Sequence, residues 1–572
     1  MKLRFFITTL ILVLGILFVP VVLIAADLVS FTVKSTETLE KSYDTGIFPS
    51  LHMTTYYNPF TAEREFWHNG IISITGAQEG QNFEAADARI RGRGNSTWQQ
   101  GIDKRPLRFR FNEAQPMLGS AYAATDWILL ADFFDRSLMR NHAALYLGNL
   151  MSGLSFTPIP RPVNLYVNGE YMGVYLLTDE RDVNPGRMQL EWNEDPALSD
   201  FFFELDARAS QGGVLGDTFI RVNGLSYDIR FPGSSRRTPG HVTYLSEYIH
   251  AVSDAVRSQN FEDILQLIDL DSFVDFYIVQ ELFKDVDAAN QLSIFLHIQG
   301  QGQDRRLFMG PLWDFDIAAG NVLNQPLGRG PEDLFLAVFN YWYRYLMLMP
   351  EFHDAVAIRW NQVADNEIAQ MLSHIRHTAT RYRAEYERNF ERHPIIGVEV
   401  WRFASPPEII EIDSFMGHVD FLLNWLEARV EWMDDFFNGR MPGHDPLWAL
   451  VEYHTTQHRI DVTITHARHH FARMPINLQN RIMLTVEEMA ALFGLTISHD
   501  TETGAVEFRG SGVTINHNAG DLFMTVNDEI VTFGVPASLY IQDYFYMPLR
   551  PVAEVLGHSL RWDFSNRTVI IE

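Results

Sequence analysis

Three aspartates in the middle of the chain are spaced to do chemistry together: Asp287, within ELFKDVDAAN from Glu281, and Asp314 and Asp316, within GPLWDFDIAAGN from Gly310. Carboxylates suit a hard divalent cation. Mg²⁺ takes one or two protein carboxylates and completes its shell with phosphate and water, so the trio reads as a metal–nucleotide site. Solvated aspartates at strand ends are common on loops, and on these residues alone that plainer reading stays open. A helix-like apolar segment leads into the acidic loop at Asp287, a strand-like stretch follows at 293–298, and after a Gly/Gln turn a second apolar run ends in Trp313-Asp314-Phe315-Asp316. The acids thus fall at the ends of regular elements.

The parts suited to an anion lie upstream. Residues 89–98 read RIRGRGNSTW and residues 104–111 read KRPLRFRF. Leu107, Phe109 and Phe111 alternate with Arg108 and Arg110, which predicts a strand with one apolar face and one guanidinium face. Gly92 and Gly94 permit close backbone approach, and with the positive groups around them they make an anion cradle; a surface hairpin with solvated arginines is the simpler alternative. Over 126–148 the pattern predicts a short strand and then a helix with Leu138, Ala143, Leu145 and Leu147 on one side, interrupted by polar Arg140 and Asn141. Asn168-Gly169 signals a two-residue hairpin turn. The second strand of that hairpin ends at Asp179-Glu180, where Glu180 could orient a basic phosphate-binding side chain. A further strand is expected at 201–206, and helical periods cover 240–283 and 333–437, where the aromatic residues read as core.

Length and charge bound these readings. At 572 residues the chain exceeds one core. Its 45 basic and 72 acidic residues leave a net charge of −27, which argues against a nucleic-acid partner, since a phosphate backbone needs a basic face. A nucleotide needs only a local basic pocket. Cysteine is absent, so structural disulfides, thiolate metal sites and a lipid-modified N-terminal cysteine are excluded.

Residues 1–26 begin with Lys2 and Arg4 and continue as an apolar stretch of about bilayer-spanning length. They read as a signal peptide or a membrane anchor. The anchor is favoured because the small-residue site around Ala25-Ala26 is poor, and it would put Lys2 and Arg4 on the cytoplasmic side, with the bulk of the chain outside. Residues 27–45 are a polar linker. The connector at 438–474 holds His444, His454, His458, His466, His469 and His470. Spacings of four between His454 and His458, and between His466 and His470, suit metal ligation on a helix, whereas the alternation of Ile460, Val462 and Ile464 is that of a strand and would separate them. Beyond Pro475, residues 482–508 align without a gap on 545–571, with Gly494 on Gly557 and Asp500 on Asp563. Each unit is an entry strand, a short helix and two strands, too small to bury its own face. The pair therefore makes one compact α+β module.

Taken in order, RGRGNSTW, KRPLRFRF, WILLADFFDRSLMRN, LYVNGEYMGVYLLTDE, the Asp287 loop with its strand, and GPLWDFDIAAGN resemble the spore coat protein H (CotH) kinase family. The resemblance implies an atypical protein-kinase-like domain at 46–437 that binds ATP with Mg²⁺, Mn²⁺ being an alternative, and phosphorylates serine or threonine of a surface or spore-coat protein. It places Asp287 as the catalytic-loop aspartate and Asp314 as the metal-binding aspartate, with Asp316 where ordinary kinases have glycine and Asn290 as a second metal ligand. Gly92, Gly94, Asn95, Ser96 and Trp313 fall at the nucleotide. Arg108, with Lys104 as second choice, is the phosphate-contacting base, and Glu180 is its ion-pair partner. No HRD triplet precedes Asp287, so a pseudokinase serving coat or surface assembly is the main rival. A metal-dependent hydrolase would account for the acids but not for the glycine loop and arginine strand. Residues 475–572 resemble the copper amine oxidase N-terminal-like domain; with no cysteine and few histidines in the repeat, attachment to a surface component is expected rather than copper chemistry. The fold class expected is α+β, an atypical protein-kinase-like domain followed by a small α+β repeat module.

Overall fold

Alternating apolar residues roll the first strands into a barrel. In the computed structural model the described residues are 47–440 and 461–572, apart from 62, 99–101, 211–214, 217, 324, 402–403, 465–466, 470, 472, 474, 479–480, 501–502, 519–520, 522, 533–537, 542–543 and 564–567. Strands β1 (Ser50–Thr55), β2 (His68–Thr75), β3 (Phe83–Gly92), β4 (Leu107–Gln115), β5 (Ala124–Leu130), β6 (Arg161–Val167) and β7 (Glu170–Asp179) close in the order β1-β2-β3-β4-β5-β7-β6. β1 runs parallel to β6 at the seam. Leu107, Phe109 and Phe111 enter the barrel core with Trp127, Leu165 and Leu177, while Arg108 and Arg110 alternate out of it. The β6–β7 turn has both Asn168 and Gly169 in the left-handed region, at φ 51° and 83°, as the two-residue turn requires.

Helix α1 (Arg140–Leu150) departs from expectation. Leu138 precedes it, and its residues are buried on every side apart from Asn149, Arg140 and Asn141 included, so there is no solvent face to produce an apolar stripe.

A second, all-antiparallel sheet comprises β8 (Phe201–Leu205), β9 (Phe219–Val222), β10 (Leu225–Phe231), β11 (Ile294–Gln299) and β12 (Arg306–Met309), in the order β12-β11-β8-β10-β9. Between β10 and β11 run α2 (Pro239–Ser258), α3 (Phe261–Leu267) and α4 (Leu270–Phe283). Asp269 caps α4 by accepting from Ser272 N at 2.8 Å, and Lys284 ends it in the left-handed region. The acidic loop expected at Asp287 is one helical turn, Val286–Ala289, capped by Asp285. After β12 come α5 (Pro350–Val363), α6 (Ala369–Arg381), α7 (Arg383–Arg392) and α8 (Phe415–Phe437). Glu281 of α4 and Arg429 of α8 form a fully buried ion pair at 2.7 Å. Glu281 also accepts from Phe335 N at 2.6 Å, and Arg429 donates to the carbonyls of Pro331 and Asp333.

The chain divides into two compact units: the described residues up to His250 with Leu265–Asn340 and Glu351–Asn438, and Ala251–Ile264 with Tyr341–Pro350 and the described residues after Asn438. The second unit contains β13 (Asp461–Ile464), β14 (Ala467–Arg468), β15 (Ile476–Leu478), β16 (Arg481–Thr485), α9 (Val486–Phe493), β17 (Thr496–Asp500), β18 (Ala505–Gly510), β19 (Val513–Asn518), β20 (Phe523–Val526), β21 (Glu529–Thr532), β22 (Leu539–Ile541), β23 (Tyr544–Pro548), α10 (Leu549–Val555), β24 (Leu560–Asp563) and β25 (Thr568–Ile571). The strand–helix–strand–strand order appears twice, and each helix is followed by a left-handed glycine, Gly494 at φ 65° and Gly557 at φ 86°. The entry strands pair with each other, Leu484 opposite Met547 with Met483 opposite Pro548 and Thr485 opposite Tyr546. Both repeats feed one core, including Leu484, Met489, Phe508, Met547, Val552 and Ile571. The segment 1–26 and the pairs His454/His458 and His466/His470 lie outside the described residues. Among those described, no helix is long and apolar enough to cross a membrane.

Candidate functional site

A polar cleft of about 480 Å³ in the first unit gathers most of the residues singled out from the sequence. Its lining includes Gly94, Asn95 and Ser96 after β3, Arg108 on β4, Glu180 after β7, Asp287 in its helical turn, and Trp313, Asp314 and Asp316 after β12. Helix α1 fixes the last group. Asn141 Oδ1 accepts from Phe315 N at 2.7 Å, and the Arg140 guanidinium donates to Ala318 O at 2.8 Å and Ala319 O at 3.0 Å. Asp135 in turn pairs with Arg140 and accepts from Met139 N and Arg140 N, so the anchor is itself anchored. Asp314 adopts φ 71°, and Ser293 Oγ donates to its Oδ2 at 3.2 Å.

Crowded acids and low hydration set the electrostatics. Burial, reinforced by Asp314, pushes the Asp287 carboxyl up to about 7. The same causes raise Asp316 well above the usual carboxylate range. Burial works against ionisation of Glu180 too, but Arg181, Arg108 and Arg93 outweigh it and hold Glu180 at about 2. Glu180 accepts ion pairs from Arg108 at 3.1 Å and Arg181 at 3.5 Å. Two guanidinium groups lie over the Trp313 ring, Arg181 at 3.8 Å and Arg93 at 5.0 Å from its centroid. Arg64 donates to Asn95 Oδ1 at 2.7 Å and to Gly94 O, tying down the glycine segment.

Three expected site residues do not line the cleft. Gly92 serves packing, because a Cβ there would meet the Trp98 ring at 2.0 Å. Lys104 is 1% exposed, lies over the Tyr175 ring at 5.0 Å, and its Nζ has no hydrogen-bond partner among the described residues. Burial lowers it to about 7 against the opposing pull of Asp132 and Asp135. Of the two basic residues expected at the phosphates, Arg108 lines the cleft and Lys104 does not. Asn290 is exposed and turns its amide back to Val286 O at 2.8 Å, as the cap of its own helical turn, so it is not placed as a second metal ligand.

Sequence reasoning passed over Arg93, Asp132, Asn141, Arg181 and Arg208, all of which line the cleft. Asp132 is buried at φ 47°, accepts from Asn141 Nδ2 at 2.8 Å, and is raised to about 7 by burial, with Asp135 and Asp314 adding to it. The available signal was charge or amide inside otherwise apolar runs, as in LLADFFD and MRNHAAL.

The group that this cleft would hold is tested by its donors. Seven arginines and eight acidic residues line it. Arg181 Nε is buried without an acceptor, and the Arg93 guanidinium makes no hydrogen bond to a described residue, its backbone N–H alone donating to Pro106 O at 3.2 Å. Donors of this kind fit a polyphosphate, and the oxygen-only acids fit Mg²⁺. Among the described residues no group of three His, Asp or Glu side chains is gathered to hold a metal unaided.

The family described as CotH kinase protein matches residues 89–433, more than half of the chain and all of the cleft segments after Glu65. The chain belongs to the CotH family. Within that CotH match lie the barrel from the end of β3 to β7, the second sheet, and the helices through most of α8. Residues 464–571 match the copper amine oxidase N-terminal domain, which takes in both repeats. No curated protein matches the chain.

Proposed function

We propose that this CotH protein is an atypical protein kinase that transfers the ATP γ-phosphate to serine or threonine of a surface or spore-coat protein. The reading rests on one observation: Asp287, Asp314 and Asp316 share a single cleft with a glycine segment and with arginines on the barrel side. In it, residues 46–437 are an atypical kinase-like domain, exported with the bulk of the chain outside the cell behind an N-terminal signal or anchor, and the C-terminal module attaches the protein to a surface component.

Phosphoryl transfer is mainly positioning and charge neutralisation. ATP with Mg²⁺, or Mn²⁺, supplies the transferable phosphoryl group and the metal charge that offsets it. Asp287 takes the proton of the acceptor hydroxyl; a carboxylate raised to about 7 is near the operating pH and so is matched to proton transfer. Asp314 holds the metal, steadied by Ser293 and by the Asn141 bond to the next residue. Glu180 orients Arg108 and Arg181 toward the phosphates, and Arg93, stacked at Trp313, donates to them as well.

The test incubates the full chain with γ-labelled ATP and Mg²⁺, beside Asp287→Asn and Asp314→Asn. Asp287→Asn is expected to keep nucleotide binding and lose transfer; Asp314→Asn is expected to lose Mg²⁺-dependent binding. Unchanged transfer in Asp314→Asn would overturn the site. Nucleotide binding without transfer by the wild-type chain would assign it the non-catalytic assembly role.

A further inference from the structure

The five-stranded sheet of the C-terminal module, in the order β17-β18-β19-β20-β21, has two unlike faces. Val506, Phe508, Ile515 and Met524 point into the module core. On the other face, register sets Ser498 opposite Glu507, Glu507 opposite Asn516, and Asn516 opposite Thr525. Four strands thus present one unbroken row of hydroxyl, carboxylate, amide and hydroxyl. At strand spacings of about 4.8 Å the row is about 14 Å long. Ala505, small and beside Glu507 on the same face, helps to open a groove of about 280 Å³ along it. Phe523 stands at the groove with 39% of its surface exposed.

An outward sheet face is ordinarily polar, so polarity alone carries nothing. Three features go further. The Ser498, Asn516 and Thr525 side chains make no hydrogen bond to any described residue and are available as donors and acceptors. No lysine or arginine lines the groove; Arg509 engages Glu507 from outside it at 2.8 Å. Asp500 and Asp521 add negative charge to the lining, which disfavours an anionic polymer.

We propose that this groove binds an extended polysaccharide of uncharged, equatorially linked pyranose units. Such a chain offers hydroxyl groups at a repeat close to the strand spacing, and the apolar face of a sugar ring covers Phe523. The inference deepens the attachment role proposed for the module by naming its ligand class and site.

The experiment is calorimetric titration of the full chain with cellohexaose and with chitohexaose. Binding of at least one is expected, weakened at least tenfold by the double variant Asn516→Ala/Thr525→Ala and by Phe523→Ala. Melting temperature should be unchanged, because these side chains are outside the core. Binding of neither sugar, or binding that the variants retain, would overturn the proposal. Retention on insoluble cell-wall material by a chain that binds neither sugar would keep the attachment role and remove the groove from it.

Discussion

Asn141 uses both ends of its amide in the cleft, accepting from Phe315 N and donating to Asp132. Leucine there would fill similar space and leave a buried N–H and a buried carboxylate unpartnered. The expected cost is about 2–6 kcal/mol, from about 1–3 kcal/mol for each of the two unsatisfied groups. Because the Asp314 loop loses its fixed point, label transfer should fall by about 100-fold as well. Urea unfolding and the transfer assay check the two effects; a variant as stable and as active as wild type would remove Asn141 from the site. In sequence, Arg140 and Asn141 are legible only as interruptions of an apolar period. Their partners lie at Phe315 and Ala318, 174 and 178 positions away, and nothing local encodes that pairing. Asp287, Asp314 and Asp316 were readable because they sit at element ends in recognisable runs, and Arg108 because strand alternation exposes it. Lys104, the second choice, drew notice because a basic residue beside a glycine segment looks like a ligand-binding group, whereas it is buried over the Tyr175 ring.

At the scale of elements, α4 and α8 are joined through Glu281 and Arg429, and the same pair fixes the 331–337 segment. Arg429→Met leaves Glu281 buried without its cation, and the expected loss is about 3–5 kcal/mol. The double variant Glu281→Leu/Arg429→Met should recover part of it, since the uncompensated charge is then gone. Urea midpoints for the three proteins test this, and a double variant less stable than Arg429→Met would contradict it. Strand β4 was legible from alternation, and the β6–β7 turn from Asn168-Gly169. Helix α1 was legible as a helix but not its surroundings, because a helix enclosed on all sides has no apolar stripe, and Arg140 and Asn141 are satisfied by distant backbone instead of water.

For the whole molecule, the net charge of −27 coexists with a cleft in which burial and neighbouring acids raise the Asp287 and Asp132 carboxyls to about 7. Asp132 binds a proton with a folded value of about 7 against about 3.9 unfolded, so the folded state holds more protons across that interval and stability from this group falls as pH rises through it. Buried His374 and His393, each lowered to about 4, act in the opposite sense up to about pH 6.5. The contribution of Asp132 is therefore isolated by substitution: Asp132→Asn should come nearest to wild type in melting temperature below about pH 4, gain on it as pH rises to about 7, and hold that gain at pH 8. An advantage that shrinks with pH would refute the assignment. The C-terminal module shows a different whole-molecule property in its register. Leu484 and Met547 are the same position of the two repeats, and they face each other, with Met483 opposite Pro548 and Thr485 opposite Tyr546 around them. That is the pairing a dyad imposes on two identical chains, so one ancestral half could have met its own copy in this register before the two halves were fused, with gene duplication replacing a homodimer by a single polypeptide.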